Sequence, residues 1–367
     1  MTRDGTNDSR LEPVNVHDYE RLAEERLEPG TFGYYAGGAG DEWTLAENLA
    51  AFRRFVLRPR VLVDVGSVTT ATSVLGTEVS MPILVAPTAF HRLAHPDSEV
   101  ATARAADAAG TIMCLSTLAT AGAAEVAEAA PGGARWYQLY WHPDRGVTRQ
   151  MVEGAAEAGF RAIVLTVDLP VLGNRERDLR TGFVLPDDLV PPFASIAAEV
   201  GSEVIGMIVD PRISWKDLEW LRSLTDLPLL VKGVLTAEDA ALAVEHGCEG
   251  IVVSNHGGRQ LDGVPASLDA LQEVVEAVGG RSEVLVDGGV RRGTDVAKAL
   301  ALGATAVLVG RAVLWGLAHD GQAGVERVLA LLRAELELTL ALLGCPSPEA
   351  VTRAHVGRAA ARPLLPG

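Results

Sequence analysis

Ile251-Val252-Val253-Ser254-Asn255-His256-Gly257-Gly258-Arg259-Gln260-Leu261-Asp262 changes character within one step. Ile251–Ser254 is short, β-branched and almost wholly apolar, as a strand covered on both faces must be. The loop that follows carries a histidine, an arginine and an aspartate around two glycines. The same pattern recurs in both directions along the chain. Eight such runs can be counted: Pro82–Ala86, Ile112–Ser116, Trp136–Tyr140, Ala162–Val167, Leu229–Lys232, Ile251–Ser254, Val284–Asp287 and Val307–Gly310. Helical periodicity falls between them at Glu99–Ala109, Arg145–Ala158, Ala237–His246, Leu268–Val278 and Gly293–Leu302, several closed by a glycine suited to a left-handed cap.

Alternating strands and helices fit either a doubly wound sheet or a (β/α)8 barrel. A barrel gathers its reactive groups just past the C-terminal ends of the strands. Here every run ends on a candidate: Pro87-Thr88-Ala89, Ser116, Gln138 with Tyr140, Thr166 with Asp168, Lys232, Ser254-Asn255-His256, Asp287-Gly288-Gly289 and Gly310-Arg311. The expectation is therefore an α/β fold, a (β/α)8 TIM barrel. It has an N-terminal helical extension beginning near Val16–Leu27 and a long insertion after the fourth strand, Leu169–Leu227, that suits a lid. A helix-like stretch, Ser214–Leu224, lies in that insertion, and Gly324–Leu343 has strong helical periodicity. One domain is expected over residues 16–360, with flexible ends at 1–15 and 361–367.

The 367 residues are 48% hydrophobic and 22% charged, with no apolar run long enough to span a membrane. The polar start, Met1–Pro13, lacks a secretory signal, so the reading places the chain in the cytoplasm. A net charge of −16 disfavours nucleic acid as a partner. Cys114, Cys248 and Cys345 are far apart without a CxxC, and read as buried, inert thiols. No metal is expected. His91 and His95 have a helical i,i+4 spacing, but Pro96 follows and no HExxH occurs, so both read as ordinary loop residues.

His256 can act as acid or base near neutrality, and Arg259 can grip a carboxylate through a planar fork. Asp168 can fix the tautomer of His256 and stabilise its imidazolium, although an isolated aspartate there could equally cap a helix. Arg175 can supply a second guanidinium or simply belong to the charged run Arg175-Glu176-Arg177-Asp178. Tyr34 and Tyr140 offer phenolic donors. Asp287-Gly288-Gly289-Val290-Arg291 and Gly310-Arg311 follow the seventh and eighth strands, where barrels commonly hold phosphate on glycine-rich turns. Lys232 can stabilise charge on a reduced ring, form a buried ion pair or make a Schiff base. GxGxxG and GxxxxGK[ST] are both missing, so the phosphate belongs to a flavin mononucleotide or a phosphorylated substrate.

These residues resemble the FMN-dependent 2-hydroxy acid oxidases, the family of glycolate oxidase, lactate oxidase and mandelate dehydrogenase. The likeness covers Val16–Val356. It rests on Tyr34-Tyr35, Ala46-Glu47-Asn48, Arg58-Pro59-Arg60, Pro87-Thr88-Ala89, Gln138-Leu139-Tyr140, Leu165-Thr166-Val167-Asp168, Leu230-Val231-Lys232-Gly233 and the His256 segment. The resemblance implies FMN as cofactor, His256 as base with Asp168 behind it, Arg175 and Arg259 on the substrate carboxylate, and Tyr34 and Tyr140 on the substrate. Lys232 would face the flavin N1–O2 edge. Ala89, Ser116, Gln138, Thr166 and Ser254 would meet the ring or ribityl chain, and Asp287, Gly289, Arg291, Gly310 and Arg311 the ribityl and phosphate.

Two departures concern the substrate and the oxidant. Leu118 stands where members acting on the smallest acids carry tryptophan, which opens space beside the substrate side chain, and Phe90 adds an aromatic wall. Both suit an aryl acid, and the whole chain is similar to actinobacterial 4-hydroxymandelate oxidases. Ala89, where family dehydrogenases tend to have glycine, points with the missing haem domain to oxygen as electron acceptor and hydrogen peroxide as product. Aliphatic 2-hydroxy acids, a dehydrogenase, a decarboxylating monooxygenase or a non-redox phosphate-binding barrel are the alternatives. Relatives are commonly homotetramers, so an oligomer is expected.

Overall fold

A computed structural model describes residues 12–199 and 209–359. Its centre is a closed, all-parallel barrel of eight strands: β1 (Ile83–Val85), β2 (Met113–Leu115), β3 (Arg135–Leu139), β4 (Ile163–Thr166), β5 (Leu229–Val234), β6 (Gly250–Val253), β7 (Glu283–Asp287) and β8 (Ala306–Val309). Each pairs with its sequence neighbours, and β8 closes onto β1 through Val307↔Ile83, Leu308↔Leu84 and Val309↔Val85. All eight runs expected from the sequence are strands of this barrel.

Period-two alternation explains why the runs are apolar throughout. Leu84, Cys114, Trp136, Val164, Leu230, Val252, Leu285 and Leu308 form one buried cluster. Their neighbours Ile83, Met113, Tyr137, Ile163, Val231, Ile251, Val286 and Val307 belong to a second one with the surrounding helices. The first set fills the barrel and the second seats the helices, so both faces of these strands are mostly apolar, with polar side chains towards their ends. A hairpin of two short strands, Thr72–Val74 and Thr77–Val79, adds Val74 and Val79 to the inner cluster and so packs against one end of the barrel. The sequence did not announce it, because three-residue strands show too little alternation to read.

Three helices precede the barrel: α1 (Val16–Arg26), α2 (Pro29–Ala36) and α3 (Trp43–Ala51). Asn15 caps α1 by accepting from the backbone N–H of His17 and Asp18. A fourth, α4 (Ser98–Ala108), follows β1. The helix expected at Gly324–Leu343 is the second half of a longer one, Arg311–Leu343, broken at Asp320 and Gly321. The insertion after β4 contains helices Glu176–Thr181, Pro192–Glu199 and Leu218–Arg222, the last within the stretch expected to be helical. The termini expected to be flexible lie largely outside the described residues. All three cysteines are buried and free. No helix among the described residues is long and apolar enough to cross a membrane.

Candidate active site

Strand parity delivers the polar residues. Two positions beyond inward-facing Cys114, Trp136, Val164, Leu230, Val252 and Leu285 come Ser116, Gln138, Thr166, Lys232, Ser254 and Asp287, all buried at one end of the barrel. They border, or stand directly behind, a cavity of about 350 Å³. Every residue expected at the site lines that cavity except Asp168 and Ser254. Those two hold its liners: Asp168 binds the ring of His256, and Ser254 Oγ accepts from Lys232 Nζ (3.0 Å) and from the backbone N–H of His256 (3.0 Å).

His256 leaves β6 in a left-handed backbone conformation (φ 58°) and is followed by Gly257 and Gly258, also left-handed. A side chain at Gly258 would meet the backbone N of Leu45 at 2.6 Å, so only glycine fits there. Asn255 braces the turn by accepting from the N–H of Gly258 and by exchanging two 2.8 Å hydrogen bonds with Asn48 of α3. The resulting strain at a β-carbon-bearing residue is sustained by this surrounding network.

His256 Nδ1 lies 2.9 Å from Asp168 Oδ1, and Nε2 borders the cavity with Tyr140 Oη 3.5 Å away. Burial pulls the imidazole below its ordinary pKa, and Lys232 adds to this, while Asp168 opposes it. The ring is neutral near pH 7, with Nδ1–H donating to the carboxylate and the Nε2 lone pair turned to the cavity. Burial alone would raise Asp168, but His256 and Lys232 outweigh it and hold the carboxyl below its usual range. Burial also raises the Tyr140 hydroxyl, which stays a neutral donor.

Arg259 donates through Nη1 to the carbonyls of Tyr34 (2.5 Å) and Gly37 (2.9 Å), with its guanidinium 5.0 Å from the Tyr34 ring centre. Burial and then Arg175 push its pKa down to about 10, so it remains a cation. Arg175 lines the same cavity with its buried Nε lacking a partner. Two cations that repel each other beside a histidine base suit a carboxylate ligand.

Further residues lining the cavity fit FMN. Arg291 is buried with Nε unpartnered, and burial depresses its pKa. Arg311 is pushed down to about 9 by burial, then by Arg259 and Arg291. Three of its N–H groups go to the carbonyls of Tyr35, Gly257 and Gly37, which leaves others for an anion. Among the described residues neither guanidinium forms an ion pair with a carboxylate, and two such cations side by side suit a phosphate. Asp287 pairs through Oδ2 with Lys232 Nζ (3.2 Å), while its buried Oδ1 is free to accept from a ribityl hydroxyl. Of the readings open for Lys232, the ion pair is thus present: burial would lower its pKa, but Asp287 and Asp168 raise it. Gln138 joins Ser116 and Thr166 into one polar belt, accepting from Ser116 Oγ (3.2 Å) and donating to Thr166 Oγ1 (3.0 Å).

One sequence expectation needs correction. His91 was expected to be an ordinary loop residue; it is 1% exposed and hydrogen-bonded at both ring nitrogens. Gly289 lines the cavity, and a Cβ there would also strike the carbonyl oxygen of Asn48 at 2.0 Å, so its smallness admits α3 as well. The sequence also missed Leu172, Phe183 and Leu185 of the insertion, which line the cavity. Phe183 stacks on Tyr34 (centroids 4.9 Å apart). Phe183 and Leu185 precede Pro186 in a stretch without periodicity, so their only signal was apolar character in a polar segment.

A family model described as FMN-dependent dehydrogenase matches residues 23–358. Glycolate oxidase 3 of Arabidopsis thaliana is 54% identical over 94% of this chain and 96% of its own. Glycolate oxidase of Spinacia oleracea is 53% identical with the same coverage. A crystal structure of mandelate oxidase with (S)-2-phenylpropionate superposes with a TM-score of 0.86 at 44% identity, over 95% of this chain and 98% of that one.

Proposed function

The chain belongs to the FMN-dependent dehydrogenase family as an FMN-dependent 2-hydroxy acid oxidase, and from that premise we propose that it oxidises an aryl (S)-2-hydroxy acid, mandelate or 4-hydroxymandelate. The product is the aryl glyoxylate, and O2 is reduced to H2O2. The observation that carries the aryl reading is the set of apolar side chains lining the same cavity as the base. Phe90, Leu118, Leu172, Phe183 and Leu185 border the cavity together, and Leu118 packs on Tyr140 and Leu169. A wall of that kind gains free energy from a phenyl group and little from a hydrogen or methyl.

Bound FMN supplies the acceptor for the two electrons of the substrate. The chain does the rest. Arg259 and Arg175 take the carboxylate, Tyr34 and Tyr140 orient the hydroxyl, and His256 Nε2 receives the proton. Asp168 then stabilises the imidazolium across the 2.9 Å hydrogen bond. Pro87, Thr88, Ala89, Ser116, Gln138, Thr166 and Lys232 would hold the ring of FMN, while Asp287, Gly288, Gly289, Arg291, Gly310 and Arg311 would hold its ribityl phosphate.

Anaerobic flavin bleaching across a panel of acids tests the substrate. (S)-Mandelate or its 4-hydroxy form is expected to bleach the yellow protein faster than glycolate or lactate, and the reverse order rejects the aryl assignment. Aliphatic acids are the second reading, favoured by the 54% identity to a plant glycolate oxidase. One H2O2 per turnover is expected; a deficit would favour a dehydrogenase or a decarboxylating monooxygenase. A cytoplasmic homotetramer completes the proposal, to be checked by light scattering of the purified protein and by localisation in the source cell.

A further inference from the structure

His91 and Glu99 are buried titratable groups outside the cavity, and the chemistry described so far uses neither. We propose that His91 is a positioning residue which, with Glu99, fixes the spacing between Phe90 and Leu118 and thereby sets the enzyme's preference among substrate side chains. This rests on the aryl reading above.

The loop after β1 contains Thr88, Ala89 and Phe90, and Phe90 is left-handed (φ 57°), a costly conformation for an aromatic residue. Restraints surround it. Its N–H donates to the carbonyl of Leu118 (3.0 Å), and its carbonyl accepts from Tyr35 Oη (2.6 Å). The next residue, His91, places Nε2 2.6 Å from Thr88 Oγ1 and Nδ1 3.0 Å from Thr102 Oγ1 on α4. A neutral imidazole donates through one nitrogen and accepts through the other, and threonine hydroxyls can take either part, so the ring spans the loop and the helix in either tautomer.

Glu99 continues the connection. Its Oε1 accepts from the N–H of His91 (3.0 Å) and of Thr120 (2.9 Å). Its Oε2 accepts from Thr120 Oγ1 (2.5 Å) and the N–H of Ala121 (3.0 Å). One carboxylate and one imidazole therefore join the loop after β1 to the loop after β2, and these two loops carry Phe90 and Leu118. The base and the carboxylate-binding arginines stand on other loops. Slackening the His91 network should therefore alter side-chain discrimination more than proton removal.

The test compares His91→Leu, His91→Gln and Thr102→Val with the wild-type holoenzyme. Two quantities are read: the kcat/KM ratio of (S)-mandelate to glycolate, and the Kd values of benzoylformate and oxalate from flavin absorbance. In His91→Leu the kcat/KM ratio should fall about tenfold and benzoylformate should bind about tenfold more weakly, with oxalate within about twofold. His91→Gln, which keeps a donor and an acceptor, should recover to within about threefold of wild type, and Thr102→Val should shift both readouts about threefold in the same direction as His91→Leu. A yellow, folded His91→Leu protein with unchanged discrimination, or one that loses only thermal stability, would overturn the proposal. If His91→Leu does not fold, unchanged discrimination in Thr102→Val overturns it instead. A wild-type enzyme that prefers glycolate would refute the aryl reading; a wild-type enzyme that prefers mandelate, with equally selective variants, would refute the role of His91 alone.

Discussion

His91 is buried and His256 half-buried, both follow a strand of the barrel, and both have their pKa lowered first by burial. Their surroundings differ in what each ring nitrogen meets. His91 has hydroxyls at 2.6 and 3.0 Å on its two nitrogens, and its neighbouring carboxylate, Glu99, binds the backbone N–H rather than the ring. His256 has a carboxylate in line with Nδ1 at 2.9 Å, and its Nε2 faces a cavity with only a long 3.5 Å approach from Tyr140. Burial keeps either imidazole neutral; the free nitrogen and the waiting carboxylate make only one of them a base. A proton arriving on His91 meets only threonine hydroxyls at its ring nitrogens, whereas one arriving on His256 gains an ion pair with Asp168.

The sharpest way to break this contrast is to remove each ring. His256→Ala should retain the yellow cofactor yet slow anaerobic reduction by about a thousandfold, within the range for losing a general base, while His91→Gln should reduce at close to the wild-type rate. Near-normal bleaching of His256→Ala in a stopped-flow trace would reassign the base. Asp168→Asn should cost about a hundredfold, because the imidazolium loses its counter-charge. Its pH profile carries a sign. His256 accepts a proton only when neutral, so kcat/KM falls as pH drops through a pKa that lies below the ordinary histidine value. Asp168 raises that pKa, so in Asp168→Asn the acid limb should move to lower pH even as the plateau falls. A limb that moves upward would contradict the pairing.

The contrast also marks what could be read from sequence. All eight strands were visible because a barrel strand is buried on both faces, and Ile83, Leu84 and Val85 show that as an uninterrupted apolar run. Site residues were visible for a related reason: parity carries Ser116, Gln138, Thr166 and Lys232 out of an apolar strand into its mouth, where polarity stands out. His91 was hidden because its partners Thr88, Glu99 and Thr102 meet it only through tertiary packing, and each is unremarkable in its own segment. Phe183 was hidden likewise, since its stacking on Tyr34 joins the insertion to α2 across a distance that no local pattern records. The hairpin Thr72–Val79 was too short to show a period.

The carboxylate side of the site offers a smaller test. Arg259 Nη1 is committed to the carbonyls of Tyr34 and Gly37, so the same planar group both holds α2 and presents its remaining N–H edge to a ligand. An ammonium cannot do both. Arg259→Lys should weaken oxalate binding about thirtyfold, equivalent to about 2 kcal/mol, as for truncating a buried charge pair. Unchanged affinity in a flavin absorbance titration would leave Arg175 as the sole carboxylate anchor.

The smallest expected effect is on the apolar side chains of the cavity. Leu118 packs on Tyr140 and Leu169 and lines the cavity, and its carbonyl holds the N–H of Phe90. Leu118→Trp keeps that backbone bond but fills space beside the substrate side chain, so overpacking falls on the bulky acid alone. kcat/KM for (S)-mandelate should drop about tenfold while that for glycolate stays within about threefold, in line with what a small change in an apolar pocket can discriminate. Equal losses for both acids would mean that Leu118 acts through the backbone of Phe90 rather than through the room it leaves. The His91 and Leu118 variants would then report on one shared loop restraint, and the aryl preference would have to be sought at Phe183 and Leu185.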